Sequence, residues 1–207
     1  MKRNDKNRMT WYNVSLKQYK ELLEALKIED SEEQAIEVTR VLLGEEVLDL
    51  PVQEFFAKMS EFGFLKEEIP VSNPPKHLKV NGREYKMDCL LGNISTAQYI
   101  DFQNHAKTGD MAKMLSVFII PEKHEYNDGY DMLQVFADIN DLPIPIVNSA
   151  AFFFSRQLAK FIQIFQSYSI KNIKKMKIPK EQKEQMIKAI TSSVDLAFSL
   201  LSSNSAK

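Results

Sequence analysis

The chain holds one cysteine, three histidines and six scattered glycines among 207 residues, and each scarcity excludes a chemistry. A lone Cys89 forms neither an internal disulfide nor a cysteine-based zinc site, and it reads as a small core residue. His77, His105 and His124 fall on a presumed strand, a helix and a loop, without the close spacing that a metal site uses, so no metal ligand is expected. The glycines at 44, 63, 82, 92, 109 and 129 stand alone, so no phosphate-cradling loop and no nucleotide cofactor is expected. Positive charge is also lacking. Lys and Arg number 27 against 28 Asp and Glu, a formal net charge of -1, which disfavours nucleic acid as a partner. The longest apolar stretch, from Ala150 to Ile170, is interrupted by Arg156, Gln157, Lys160 and Gln163 and falls short of the roughly 20 apolar residues of a membrane span. The opening Met-Lys-Arg-Asn-Asp-Lys is no apolar leader, and the expected compartment is a reducing cytosol.

What is present suits a packed domain. With 44% apolar and 27% charged residues, the chain can bury a core as one domain or two small ones. Residues 1–8 carry Lys2, Arg3, Lys6 and Arg8 against Asp5 and predict a disordered tail; Met9 is as good an initiator as Met1. From there the spacing predicts a mainly α protein, a multi-helix bundle of about seven helices with one small β-hairpin. Ser15 caps a helix bearing Leu16, Tyr19, Leu22, Leu23 and Leu26. Asp30-Ser31 followed by Glu32 and Glu33 starts a second helix, which ends at Gly44. Pro51 opens a third, in which Val52, Phe55, Phe56, Met59 and Phe62 form an apolar face up to Gly63.

The run Glu67 to Lys76 contains three prolines and reads as a linker, which divides the chain into an N-terminal helical part, 9–66, and a second part, 67–207, packed on it, unless 9–207 is one domain. Asn81-Gly82 between His77-Leu78-Lys79-Val80 and Arg83-Glu84-Tyr85-Lys86-Met87 predicts a type I′ hairpin. Ser95 and Asp110 cap two further helices, the second carrying Met111, Met114, Leu115, Phe118 and Ile119 up to Pro121. A turn-rich loop from Glu122 to Asp131 precedes a short helix with Met132, Val135, Phe136 and Ile139, and Asp141-Leu142-Pro143-Ile144-Pro145 predicts extended chain. Asn148 caps the long phenylalanine-rich helix, and Pro179 starts the last one, which frays in a Ser-rich end.

Candidate chemistry is sparse. Asp101, Asp128, Asp131, Asp138 and Asp141 are numerous, but Asn127-Asp128-Gly129 lacks the alternating acids and final Glu of a calcium loop and reads as a turn. No catalytic residue emerges and no enzyme is expected. Charge is patterned even so: residues 29–68 hold twelve acids against three bases, and residues 171–188 hold seven bases against two acids. Those lysines can touch phosphates, but a solvated helix end is the stronger reading. The two patches can pair within the fold, between copies or with a partner.

Phe152, Phe153 and Phe154 point in three directions about 100° apart on a helix, so one narrow stripe cannot take them all. Either the helix is buried nearly all round, the favoured reading, or one ring is left for a partner. With Phe161 and Phe165 they are the candidate partner-binding residues. The nine methionines add adaptable apolar surface for a client helix.

Met9-Thr10-Trp11, the segment Leu42-Leu43-Gly44-Glu45-Glu46-Val47-Leu48-Asp49-Leu50-Pro51, the hairpin Val80-Asn81-Gly82-Arg83-Glu84-Tyr85, Thr96-Ala97-Gln98-Tyr99-Ile100-Asp101-Phe102, Phe118-Ile119-Ile120-Pro121 and the Phe152-Phe153-Phe154 helix follow in an order that resembles the tail assembly chaperones of tailed bacteriophages. The likeness spans about Met9 to Ile170. It implies a non-enzymatic protein in the cytoplasm of the infected host cell, holding hydrophobic helices of the tape-measure protein while tail tube subunits assemble. The alternative is a structural virion component, a connector or head-tail joining protein, in which the acidic and basic patches pair between copies in a ring.

Overall fold

The computed structural model describes residues 8–90 and 92–203, with the side chains of Glu45, Phe161, Phe165 and 193–203 left aside. The expected tail, apart from Arg8, and the end beyond Ser203 lie outside the described residues, as do the side chains of two candidate phenylalanines. Among the described residues there are eight α-helices and one small antiparallel sheet, a mainly α fold. The chain forms two compact units. The first takes in the described residues up to Asp88 together with Ile94–Ala151; the second takes in the described residues of Cys89–Asn93 and of the chain from Phe152 onward.

In the first unit, α1 (Leu16–Ala25) and α4 (Thr96–Ala106) begin with the same device. Ser15 Oγ accepts from Gln18 N–H while Gln18 Oε1 accepts from Ser15 N–H, at 3.2 and 3.0 Å. Ser95 and Gln98 repeat it at 3.2 and 2.8 Å. The reciprocal pair satisfies amides that a helix start leaves without intrahelical acceptors. Each glutamine then spends its amide nitrogen elsewhere. Gln18 Nε2 donates to Val41 O at 3.1 Å, near the end of α2 (Ser31–Leu43), and Gln98 Nε2 donates to Val117 O at 2.9 Å, just past α5 (Met111–Ser116). One side chain therefore starts its own helix and terminates its neighbour. Asp30, Asp110 and Asp131 cap α2, α5 and α6 (Met132–Asn140), each carboxylate taking two backbone amides.

The hairpin forms as expected, with β1 (His77–Val80) against β2 (Arg83–Met87) in the register Val80 to Arg83. Asn81 and Gly82 take φ of 49° and 78°, the left-handed pair that a two-residue turn of matching twist demands. A third strand extends the expected hairpin into a three-stranded sheet. Ile119–Pro121, read as the end of a helix, forms β3, which pairs antiparallel with β2 through Met87 to Ile119 and Tyr85 to Pro121. A residue preceding proline is driven from helical to extended backbone, and two β-branched isoleucines fit a pleated edge. Helix α5 accordingly stops at Ser116.

Two other helix limits differ from expectation. Helix α3 ends at Met59, and Phe62 sits in the 3₁₀ turn Ser60–Lys66 that follows, with non-helical backbone. Helix α7 runs from Ile144 to Lys175, so Ile144-Pro145 opens a helix instead of extending the chain. A proline in the first turn loses nothing, because that amide has no intrahelical acceptor. Ser149 Oγ donates back to Pro145 O at 2.6 Å and accepts from Ser72 N–H at 3.0 Å, which ties the proline-rich segment to α7 within the same unit.

The start of the chain is locked to a distant segment. Leu16 N–H donates to Leu142 O at 2.9 Å and Ile144 N–H donates to Val14 O at 2.8 Å, a short antiparallel bridge centred on Ser15 and Pro143. Trp11 Nε1 donates to Glu67 O at 3.0 Å, and its ring meets Phe64 edge-on with centroids 5.2 Å apart. Val14, Leu22, Val117, Phe118, Ile119, Val135, Ile139 and Val147 form the sealed core of this unit.

In the second unit, α8 (Lys180–Ser203) follows the end of α7 through a turn in which Met176 N–H reaches Ile173 O at 3.1 Å. Lys183 Nζ donates to Lys174 O at 3.1 Å, supplying one of the carbonyls that a helix end leaves without an amide. Ile173 is buried there.

Candidate functional site

The most concentrated polar constellation lies in the first unit, where α6 meets the hairpin. Asp138 is buried, and its carboxylate accepts from Asn81 Nδ2 at 2.9 Å, from Arg83 at 2.9 Å on both oxygens, from Gln134 Nε2 at 3.1 Å and from the Tyr85 hydroxyl. Asn81 Nδ2 also donates to Asp141 at 2.8 Å. Burial by itself would raise the Asp138 pKa, but the hydrogen bonds from Tyr85, Asn81 and Arg83 and the guanidinium charge outweigh it and hold the carboxyl below its usual value. Burial and the same carboxylate push the Tyr85 phenol well above its ordinary range. The space bounded by Leu78, Val80, Tyr85, Ile139 and Asp138 has no room for a water molecule. A fully partnered carboxylate positions the hairpin on α6. In the sequence Asp138 is one of five scattered aspartates, and no local signal joins it to Asn81 and Arg83.

The histidines are separated. His77 Nδ1 lies 3.0 Å from Glu122 on an exposed edge, and His124 lies against the Tyr130 ring, with centroids 5.7 Å apart. Among the described residues no group of three or more His, Cys, Asp or Glu is placed to hold a metal ion. Cys89 is buried. No helix among the described residues is long and apolar enough to cross a membrane. In the loop after β3, the Tyr126 hydroxyl donates to Asp101 at 2.7 Å, and burial followed by that bond raises its pKa far above the usual phenol value.

The apolar surface is the larger feature. On α7, Phe154 is 4% exposed, Phe153 is half-buried and Phe152 is 50% exposed, with the Arg156 guanidinium 5.7 Å above its ring. The three directions forced by helical geometry therefore end in three environments. Further along, Ile164 and Tyr168 are 68% and 64% exposed. They are four residues apart and share a helix face. Both belong to the apolar run Ala150 to Ile170, for which burial is the favoured expectation, and they stand in solvent instead.

A second apolar surface lies on the helix expected to be amphipathic. Helix α3 (Val52–Met59) has no buried residue, and Val52 and Phe56, one turn apart, are 69% and 62% exposed. Leu48, in the preceding 3₁₀ turn, is exposed as well. Exposed Glu46, Asp49, Glu54 and Glu61 accompany them. Periodicity identified the apolar face correctly; the structure leaves that face open. Compared with protein-family models, with curated proteins and with solved structures, the chain has no significant match.

Proposed function

We propose that this protein is a non-enzymatic tail assembly chaperone of a tailed bacteriophage, acting in the host cytoplasm on hydrophobic helices of the tape-measure protein. The observation that carries this reading is the open apolar face of α7, where Ile164 and Tyr168 stand largely in solvent on adjacent turns, with Phe152 exposed nearer the start of the helix. Single exposed apolar residues are ordinary, but a one-turn pair on a long helix presents the anchors that an amphipathic client helix uses. Apolar contact contributes about 25 cal/mol per Å² before ordering costs are subtracted, and a chaperone needs only moderate affinity, which permits release.

The test is binding of a purified tape-measure helical segment to the full chain, followed by fluorescence anisotropy. Ile164→Glu with Tyr168→Glu is expected to weaken binding at least about tenfold, by placing two charges where apolar contact is made. Leu133→Glu, at an exposed position on α6, is expected to leave binding unchanged. Failure of the unaltered chain to bind any tape-measure segment would overturn the reading.

A further inference from the structure

We propose that the open face of α3 is a docking site for a second copy of this chain, which engages it through the basic turn between α7 and α8. This does not depend on the tail-chaperone reading, since it concerns another surface and another partner. Three observations meet. Helix α3 has no buried residue, although Val52 and Phe56 form an apolar ridge on adjacent turns with Leu48 just before them. Glu46, Asp49, Glu54 and Glu61 are exposed in the same stretch of chain, within a region of twelve acids and three bases.

The same chain carries the complementary surface. Lys174, Lys175, Lys177 and Lys180 are exposed around Met176, itself exposed, within a stretch of seven bases and two acids. A flexible thioether among lysines suits an apolar ridge in an acidic region: methionine adapts its shape, and lysine stems lie along apolar surface while their ammonium groups reach out to carboxylates. An unrelated basic helix would satisfy the ridge equally in chemistry, but the chain supplies its own complement at matching concentration. The contact joins two different patches, so it is heterologous, and its geometry decides between a closed ring and an open chain. Exposed ion pairs are individually weak and screened by salt, so the association is salt-labile and leans on Phe56 and Val52.

Sedimentation velocity of the full chain tests this. In about 50 mM salt, where charges act over more than 10 Å, a species heavier than the 23.9 kDa chain is expected, falling to the monomer in about 500 mM salt. Phe56→Glu should abolish it, and so should a triple variant with Lys174→Glu, Lys175→Glu and Lys177→Glu. Mixing that variant with one carrying Asp49→Lys, Glu54→Lys and Glu61→Lys should restore a mixed species. These side chains are exposed, and circular dichroism checks that each variant keeps its helices. A chain that stays monomeric in low salt overturns the proposal, as does a swap that fails to restore association. Zero-length cross-linking of isotopically light and heavy chains gives an independent reading: mixed light–heavy links between Glu54 and Lys174 or Lys175 support it, and links confined to single chains overturn it.

Discussion

Tyr85 donates its hydroxyl proton to Asp138 across 53 residues of sequence, and the bond fixes the central strand of the sheet onto α6. Asn81 and Arg83 reinforce it from the same hairpin, so turn and strand converge on one carboxylate. Removing the acceptor leaves a buried phenol without its partner. Asp138→Ala is expected to cost about 3 kcal/mol, and Tyr85→Phe about 1–2 kcal/mol, in urea unfolding. The two changes should be strongly non-additive, because each removes the same bond.

Acid should weaken the same junction. The folded protein holds the Asp138 carboxyl below the usual aspartate value of 3.8, so the unfolded chain takes up the proton more readily. Its contribution to stability is complete above that value and is lost as pH falls from about 3.8 toward the lower folded value. Asp138→Asn should flatten the acid limb of the stability curve while lowering stability at neutral pH, as read by thermal melts over that range.

Gln98 serves two helices at once, and the two duties can be separated. Gln98→Glu keeps an acceptor for the Ser95 amide but loses the donor to Val117 O and places a charge at a buried site. About 2 kcal/mol of destabilisation is expected, mostly recovered when the glutamate is protonated. Gln18→Glu, half-buried, makes the same exchange at α1 and should cost less. Chemical unfolding of the pair at two pH values checks both magnitude and order.

The hairpin turn gives a backbone prediction. Gly82 has φ of 78°, and a Cβ there meets no neighbouring atom, so the cost of Gly82→Ala is conformational alone. It should be about 1–2 kcal/mol. Asn81, at φ of 49°, adopts the adjacent left-handed position and uses its side chain on Asp138 and Asp141. Asn81→Gly therefore relieves strain but loses both bonds, and the sum should still be destabilising by thermal melt.

Much of the fold was legible where the signal is local. Ser15, Ser95, Asp30 and Asp110 cap helices because a short oxygen-bearing side chain beside unsatisfied amides is a property of a few adjacent residues. Asn81-Gly82 encodes its turn in two positions. The third strand was hidden because Ile119 and Ile120 continue the apolar spacing of α5, and only the unpaired edge of β2 makes them a strand. Periodicity likewise says which side of a helix is apolar and is silent on what covers it. Val52 and Phe56 lie on an apolar face, Ile164 and Tyr168 in a run whose favoured reading is burial, and all four stand in solvent. The phenylalanine triplet was partly readable, since three successive helical positions cannot share one environment, and Phe152 and Phe154 divide accordingly.

The bridge centred on Ser15 and Pro143 carries a consequence for biosynthesis. Val14 and Leu16 reach a ribosome's exit well before Leu142 and Ile144 are translated, so the nascent N-terminal helices emerge with that seam unzipped. Closure waits for the beginning of α7, and the growing polypeptide spends most of its synthesis as an unfinished structure with Val14 and Leu16 awaiting a late arrival.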